Sequence, residues 1–213
     1  MKNCLPITML AAVSLFAGAT AAEATTITLT GLGYYQTIPL IVNTTTSESA
    51  IAGQIRVNVG GTDLIAFCVD LFTNIGFSTY NTTLGAPSGY AGGQRAAWIY
   101  ENYNPGVDSD EAGAALQLAL WDVIHDGGDG LSAGNVQLDP AGSTSLRAVA
   151  SAIVSASEGR SSNNATILHN ASFDGAPAQT LITSAIPTPE PGTWVMVTVG
   201  LCLAGFGRHR RSS

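Results

Sequence analysis

Basic side chains are scarce in this sequence, and lysine is almost missing from it. The one lysine of the 213 residues is Lys2, and four arginines stand against thirteen carboxylic acids between residues 25 and 186. Nucleic-acid binding requires a basic surface, so this acidic balance argues against a nucleic-acid partner. The same stretch contains no side-chain primary amine.

The N-terminus has the pattern of a secretory signal peptide. Lys2 supplies the positive charge, an apolar run follows, and small-x-small motifs ending at Ala21 and Ala24 provide two cleavage sites. The apolar run is short for a membrane span. We therefore predict that residues 1–24 are removed and that the exported chain begins near Thr25.

The C-terminus combines three features in a fixed order, which predict a signal over residues 187–213. Pro189-Glu190-Pro191 is followed by an apolar segment at residues 194–206 and then by a basic end. An apolar segment with basic residues on one side is typical of a membrane segment whose basic end stays in the cytoplasm. The basic end contains Arg208, Arg210 and Arg211.

This arrangement resembles the PEP-CTERM sorting signal. The resemblance implies that an exosortase-type membrane protease recognises the tail and cuts near Pro-Glu-Pro, in a Gram-negative bacterium that secretes polysaccharide. It also implies export through the inner membrane, transient anchoring by the C-terminal segment, and a final place at the cell surface or in the extracellular matrix. It predicts a location and leaves the role of residues 25–186 open.

Cysteine is nearly as scarce as lysine. Cys4 lies in the predicted signal peptide and Cys202 in the predicted membrane segment, which leaves Cys68 alone in the exported domain. A disulfide within that domain is excluded, and a single thiol in an oxidising compartment needs an explanation. It can be a small buried apolar residue, an intermolecular partner or a reactive group.

The patterns between residues 25 and 186 predict an α+β domain. Stretches rich in Thr, Ile and Val up to Cys68 predict three or four antiparallel strands. Helices follow, and one of them, residues 107–128, has Asp108 and Glu111 spaced as a capping box. Strands return near the end of the domain. We therefore predict an antiparallel β-sheet or sandwich with an inserted segment of two or three helices.

One helix carries an unexpected amide. Residues 114–124 are apolar except at Gln117 and Asp122. A helix that is apolar on all sides is buried, and burying an unpaired amide costs about 1–3 kcal/mol. A thiol and a glutamine amide can condense, with loss of ammonia, into an internal thioester, and pairing Cys68 with Gln117 explains both unusual residues. Trp121, one turn later on the same face, is placed to shield such a bond from water.

Two short motifs support this hypothesis. The stretches "FCVDLF" and "LQLALWDVI", within residues 62–126, resemble the thioester domains of bacterial surface adhesins. The resemblance implies that Cys68 and Gln117 form the bond, which then reacts with a target amine, typically lysine, to leave a covalent amide link. Asp70 and Asp122 are candidates for proton transfer. On this hypothesis the protein is a single-turnover reagent and not an enzyme, it uses no cofactor or metal, and its partner is an amine-bearing surface or matrix target.

Two other kinds of site are weaker hypotheses. A Cys-His hydrolase would use His125 or His169, but a catalytic cysteine needs an electropositive setting and this one is acidic. Calcium could bind through Asp126, Asp129 and Asp139, but the run lacks the full spacing of a known calcium loop. A glycine-rich turn that ends the helix explains the run more simply.

Two further functions stay open. One is a passive structural protein of the extracellular polysaccharide or biofilm matrix, in which Cys68 is reduced and buried and Gln117 is merely hydrogen-bonded. The other is a carbohydrate-binding module, with exopolysaccharide as its partner, that uses exposed aromatic rings. The candidates for those rings are Tyr34, Tyr35, Tyr80 and Tyr90.

Overall fold

The computed structural model describes residues 24–44, 46–173 and 176–186. The predicted signal peptide and the predicted membrane segment at residues 194–206 lie outside these residues. Within the described ranges, no helix is long and apolar enough to cross a membrane. An antiparallel sheet and three α-helices make up this part of the chain, which confirms the mixed class that the sequence predicts.

Four strands precede the three α-helices, one short strand lies between the second and third helices, and the other described strands follow the third. The first two are long and form one hairpin, and most of the later ones are short. In the described part of the chain they are β1 (Ala24–Val42), β2 (Thr46–Val59), β3 (Thr62–Cys68), β4 (Thr79–Gly85), β5 (Val136–Leu138), β6 (Ala165–Asn170), β7 (Ser172–Phe173), β8 (Ala176–Pro177) and β9 (Leu181–Ser184).

Six of these strands form a closed ring of hydrogen-bonded neighbours. Their order is β2-β3-β9-β6-β4-β1, and β1 also pairs with β2. Strand β5 adds to the far end of β1, and β7 pairs with β8 apart from the main sheet. One continuous antiparallel sheet therefore takes the place of two stacked sheets, and closing the ring leaves few free strand edges.

The helices are α1 (Gly93–Tyr103), α2 (Asp110–Asp126) and α3 (Thr144–Ala156). Ser109 caps α2, because its backbone is extended and its hydroxyl accepts a hydrogen bond from the Ala112 N–H at 3.3 Å. The predicted capping box of Asp108 and Glu111 is therefore wrong by one position. The helix ends where Gly127 adopts a left-handed conformation, φ 69°.

Helix α2 lies at the centre of the domain. It packs against α1 and α3 and against the long β1–β2 hairpin. Every residue from Gly113 to Val123 is buried, including the polar side chains of Gln117 and Asp122. The expectation of a helix buried on all sides is confirmed, and any polar group on it must find its partner inside the protein.

Gly113 allows α2 to approach the hairpin closely, and Gly53 allows the two strands of the hairpin to approach each other at the same point. The register between β1 and β2 shifts near Tyr34, and a Cβ atom at either Gly53 or Gly113 would lie 2.3 Å from the Tyr34 carbonyl oxygen. The next residue, Tyr35, donates its N–H to the Asp110 carboxylate at 3.1 Å. The irregular part of the hairpin thus fixes where α2 begins.

We predict that Gly113→Ala destabilises the domain. The new methyl group has no space beside the Tyr34 carbonyl, so the helix must shift, and overpacking of this kind costs about 1–3 kcal/mol. Chemical denaturation measures the free energy of unfolding. Gly89→Ala is the matched control, since nothing lies within 4 Å of its added Cβ, and it should leave stability unchanged or slightly higher. Equal stability of both variants would contradict the close approach.

Candidate functional site

Cys68 ends strand β3 in the interior of the domain. Its side chain is 5% exposed, and its neighbours Phe67 and Val69 are fully buried. The N–H of Val69 donates to the carbonyl of Thr180 at 3.0 Å, so the alternating backbone turns the N–H and C=O of Cys68 toward the other edge of β3. At that edge the pairing with β2 ends at Ala66. Cys68 therefore needs a hydrogen-bond partner from outside the sheet.

Gln117 supplies that partner. Its Oε1 accepts a hydrogen bond from the Cys68 N–H at 3.0 Å, and its Nε2 donates to the Cys68 carbonyl at 2.7 Å. The side-chain amide thus takes the place of a peptide group on a neighbouring strand. This contact accounts for the buried amide on α2, and it directs the amide at the backbone of Cys68 and not at the thiol.

The thiol contacts a different glutamine, Gln179. Cys68 Sγ donates to Gln179 Oε1 at 2.8 Å, and Gln179 is itself only 8% exposed. Its Nε2 donates to the Asp70 carbonyl at 2.6 Å, its N–H donates to the Asn74 carbonyl, and its own carbonyl accepts from Asn170. Hydrogen bonds at both ends of the side chain and on the backbone therefore hold the Gln179 amide beside the sulfur.

The sequence does not single out Gln179. It is one glutamine among several, and it precedes β9, a short strand far from Cys68 in the sequence. The two residues meet because β9 pairs with β3 in the register Cys68–Leu181. Gln179 lies in the stretch "AQTLITSAI", residues 178–186, which the sequence predicts as a strand. The sequence does not indicate that this strand pairs with the strand of Cys68.

A cavity of about 360 Å³ adjoins this pair. Cys68, Gln179 and Trp121 all contribute to its lining, so the predicted shielding residue shares the space with the thiol. Trp121 is 1% exposed, and its indole Nε1 has no hydrogen-bond partner among the described residues. The remaining wall is mostly apolar, with side chains such as Leu29, Leu40, Ile51, Ile55, Ile75 and Phe77.

The two predicted proton-transfer groups occupy different positions. The Asp70 carboxylate accepts from the Phe72 N–H and the Thr73 hydroxyl, so it organises the turn after β3. Asp122 is fully buried and accepts from the Gly130 N–H at 3.2 Å. Burial, and secondarily the nearby charges of Asp129 and Asp126, raise the pKa of Asp122 to about 6. The hydrogen bonds of both carboxylates go to turns and not to the thiol.

The surroundings of Cys68 do not favour a Cys-His hydrolase. Burial and the charge of Asp70 raise the pKa of the thiol well above its ordinary range, so the thiolate is scarce. His125 accepts from the Leu71 N–H, and burial lowers the pKa of its imidazole. His169, the other candidate base of the hydrolase hypothesis, packs beside the Tyr90 ring. The Cys68 thiol donates its hydrogen bond to the Gln179 amide and not to an imidazole base.

The four tyrosines proposed for sugar binding divide into two groups. Tyr34 and Tyr35 are 43% and 40% exposed. Tyr80 is buried, with its hydroxyl bonded to the backbone of Gly76, and Tyr90 is partly buried. The carbohydrate hypothesis thus retains two adjacent exposed rings.

Comparison with known protein families finds a match to the PEP-CTERM protein-sorting motif at residues 187–211. This confirms the predicted sorting signal. The motif indicates export, sorting by an exosortase-type system, and transient C-terminal membrane anchoring before the cell surface. Searches of curated proteins and of solved structures give no match. The resemblance of residues 62–126 to thioester domains therefore has no support from a relative.

We predict that Gln117→Ala destabilises the domain by several kcal/mol. The change leaves the buried N–H and C=O of Cys68 without partners, and each orphaned group costs about 1–3 kcal/mol. Urea denaturation measures the loss. Gln94→Ala is the control, because it makes the same change at an exposed position of α1, and we expect it to stay within about 0.5 kcal/mol of the parent. Similar losses in both variants would show that the paired contact is unimportant.

Proposed function

We propose that this protein is a cell-surface or matrix protein that attaches covalently to amines through an internal thioester. The bond joins Cys68 Sγ to the side-chain carbonyl carbon of Gln179, while Gln117 holds the backbone of Cys68. The observation that carries the proposal is the 2.8 Å contact between the thiol and the Gln179 amide. The sequence had suggested Gln117 as the acyl donor, and the contacts of its amide favour a positioning role instead.

The chemistry is a transfer of the Gln179 acyl group from nitrogen to sulfur. Sγ attacks the amide carbon, the carbon–nitrogen bond breaks, and ammonia leaves carrying the proton that the thiol gives up. Holding both groups in contact makes the step intramolecular, which raises the effective concentration of the reactants greatly. The leaving nitrogen is held by the Asp70 carbonyl and the carbonyl oxygen by the thiol, so the amide faces the sulfur in a fixed orientation.

The second step consumes the bond. An external primary amine attacks the acyl carbon, the carbon–sulfur bond breaks, and the Cys68 thiol returns while an amide links Gln179 to the target. The lack of lysine between residues 25 and 186 supports this reading, because no lysine of the domain can compete with the target. Apolar walls restrict water, which would otherwise hydrolyse the acyl group.

The cavity also bears on the target. Among the described residues that line it, Glu48 is the one acidic or basic residue, and its side chain is exposed to solvent. A carboxylate at an exposed position attracts a protonated amine, and the apolar walls suit a hydrocarbon stem. A lysine side chain or an alkyl diamine has both properties, so a protein or amine-bearing matrix component fits the site better than a neutral sugar.

Intact mass spectrometry of the purified protein tests the bond. We predict that the mass of the parent is one ammonia below the mass calculated from its sequence and that Cys68 is not alkylatable. Cys68→Ala and Gln179→Glu should have their full masses, since the first lacks the nucleophile and the second has no amide to release. Gln179→Glu nearly preserves the shape of the side chain, so a loss of the mass deficit there cannot be assigned to a removed side chain.

Three outcomes separate the hypotheses. A mass deficit that persists in Gln179→Glu and disappears in Gln117→Glu would restore Gln117 as the acyl donor. A full mass in the parent, with a thiol that reacts after unfolding, would replace the thioester by a passive matrix protein in which Gln179 merely accepts the thiol hydrogen bond. Binding of oligosaccharide that is lost in Tyr34→Ala and Tyr35→Ala would instead support the carbohydrate-binding module.

We predict that Glu48→Gln slows reaction with cationic amines selectively. Cadaverine is protonated near neutral pH and methoxyamine is not, so only cadaverine gains from the carboxylate. The expected loss of rate with cadaverine is roughly 1.5- to 5-fold, corresponding to the 0.2–1 kcal/mol of an exposed ion pair. Adduct formation followed by mass spectrometry gives both rates. Equal slowing of the two amines would show that Glu48 acts on the fold or on the thioester and not on the approaching charge.

A further inference from the structure

A cluster of three carboxylates lies at the C-terminal end of α2. Asp122, Asp126 and Asp129 each offer an oxygen, and these oxygens lie within 4.8 Å of one another. The calcium hypothesis that the sequence disfavours named Asp139 in place of Asp122. The Asp139 carboxylate accepts from the Ala141 N–H, and Asp122 joins Asp126 because residues four apart on a helix share a face.

Electrostatics alone disfavours such a cluster. Carboxylates this close repel one another, and the C-terminal end of a helix carries partial negative charge. Arg95 lies beside the turn that follows α2, but it donates its hydrogen bonds to the carbonyls of Gly127 and Val154 and to the Ser157 hydroxyl. In the described structure none of these acceptors is a carboxylate. The charge of Arg95 lowers the pKa of Asp122 and offsets part of the repulsion, but its hydrogen bonds go to other groups, so a bound cation would still stabilise the cluster.

Asp122 gives a second and independent indication of a ligand. Its side chain is fully buried, and Oδ1 accepts one hydrogen bond, from the Gly130 N–H. Oδ2 is also buried and has no hydrogen-bond partner among the described residues. A buried carboxylate oxygen without a donor is rare and destabilising. A cation bound to Oδ2 would satisfy it.

Hydrogen bonds hold the Asp126 carboxylate in place, and Gly134 packs against both Asp126 and the exposed Asp129. Asp126 Oδ1 accepts from the N–H and the side-chain amide of Asn135, and Oδ2 accepts from the Val136 N–H. A Cβ atom at Gly134 would lie 2.8 Å from an oxygen of both Asp126 and Asp129, so the chain closes over the cluster. Each carboxylate oxygen has two lone pairs, which leaves Asp126 able to bind a cation as well.

We propose that Asp122, Asp126 and Asp129 bind a divalent cation, and that the cation is Ca²⁺. All three ligands are hard oxygen donors without a thiol or imidazole, which disfavours Zn²⁺ and other transition metals. Ca²⁺ accepts irregular coordination completed by water, whereas Mg²⁺ demands near-ideal octahedral geometry. The site uses none of the residues of the proposed thioester, so the two proposals are tested independently.

The expected effect of Ca²⁺ is to fix the end of α2. The cation would join the last turn of the helix to Asp129 in the following segment. The same helix carries Gln117 and Trp121, so its rigidity bears on the surroundings of Cys68. Affinity should lie in the range of extracellular calcium modules, with Kd about 10⁻⁴–10⁻³ M.

Calorimetric titration and thermal unfolding of the full chain test the site. We predict that Ca²⁺ in the millimolar range binds at one site and raises Tm by several degrees, and that Mg²⁺ has a much smaller effect. Tb³⁺, which occupies calcium sites, should show luminescence excited through Trp121, the residue next to Asp122. Asp122→Asn and Asp129→Asn should weaken binding at least tenfold. Asp108→Asn, an exposed acid outside the cluster, should leave binding unchanged.

A purely structural role for Asp122 gives different results. If the cation site exists, Asp122→Asn removes a buried charge, so its Tm in chelator should match or exceed that of the parent while the response to Ca²⁺ is lost. The fold is thereby tested separately from the binding. The proposal is overturned if the parent shows neither calorimetric binding nor a Ca²⁺-dependent Tm, or if Asp129→Asn and Asp108→Asn respond to Ca²⁺ like the parent.

Discussion

The paired hydrogen bonds between the Gln117 amide and the backbone of Cys68 join the central helix to the sheet. They lie at the point where β3 leaves its pairing with β2, so the amide continues the sheet with a group from α2. Without them, the end of β3 would have buried backbone groups with no partner, and the position of Cys68 would not be determined. The turn after β3 and the contacts of the thiol both depend on this junction.

The position of Gln179 beside the thiol depends on the same end of β3. Gln179 lies beside Cys68 only while β3 and β9 keep their register, and its Nε2 is bonded to the backbone of Asp70, two residues after the cysteine. One glutamine therefore fixes the cysteine backbone, and the other is fixed against both the sulfur and the following turn. The two amides thus make separate contacts with Cys68, one with its backbone and one with its thiol.

The sequence carries the local information well and the long-range information poorly. Periodicity identified the buried helix, and Gly127 its end, because both depend on neighbouring residues. Cys68 stood out because it is alone. The contact of Gln179 with the thiol and the closure of the sheet into a ring both depend on which distant segments meet, and no local pattern carries that information. The predicted cap at Asp108 differs in kind, because it is a local error of one position.

Burial of the thiol acts on both directions of the proposed reaction. It raises the pKa of Cys68, so thiolate is scarce in the folded domain, and in the proposed reaction the thiol proton passes to the leaving nitrogen as the sulfur attacks. The same burial makes thiolate a poor leaving group once the thioester exists, which opposes hydrolysis by water. Attack by an amine differs because a neutral amine is a much stronger nucleophile than water. A buried site can therefore keep an acyl group for a long time and still release it to the right nucleophile.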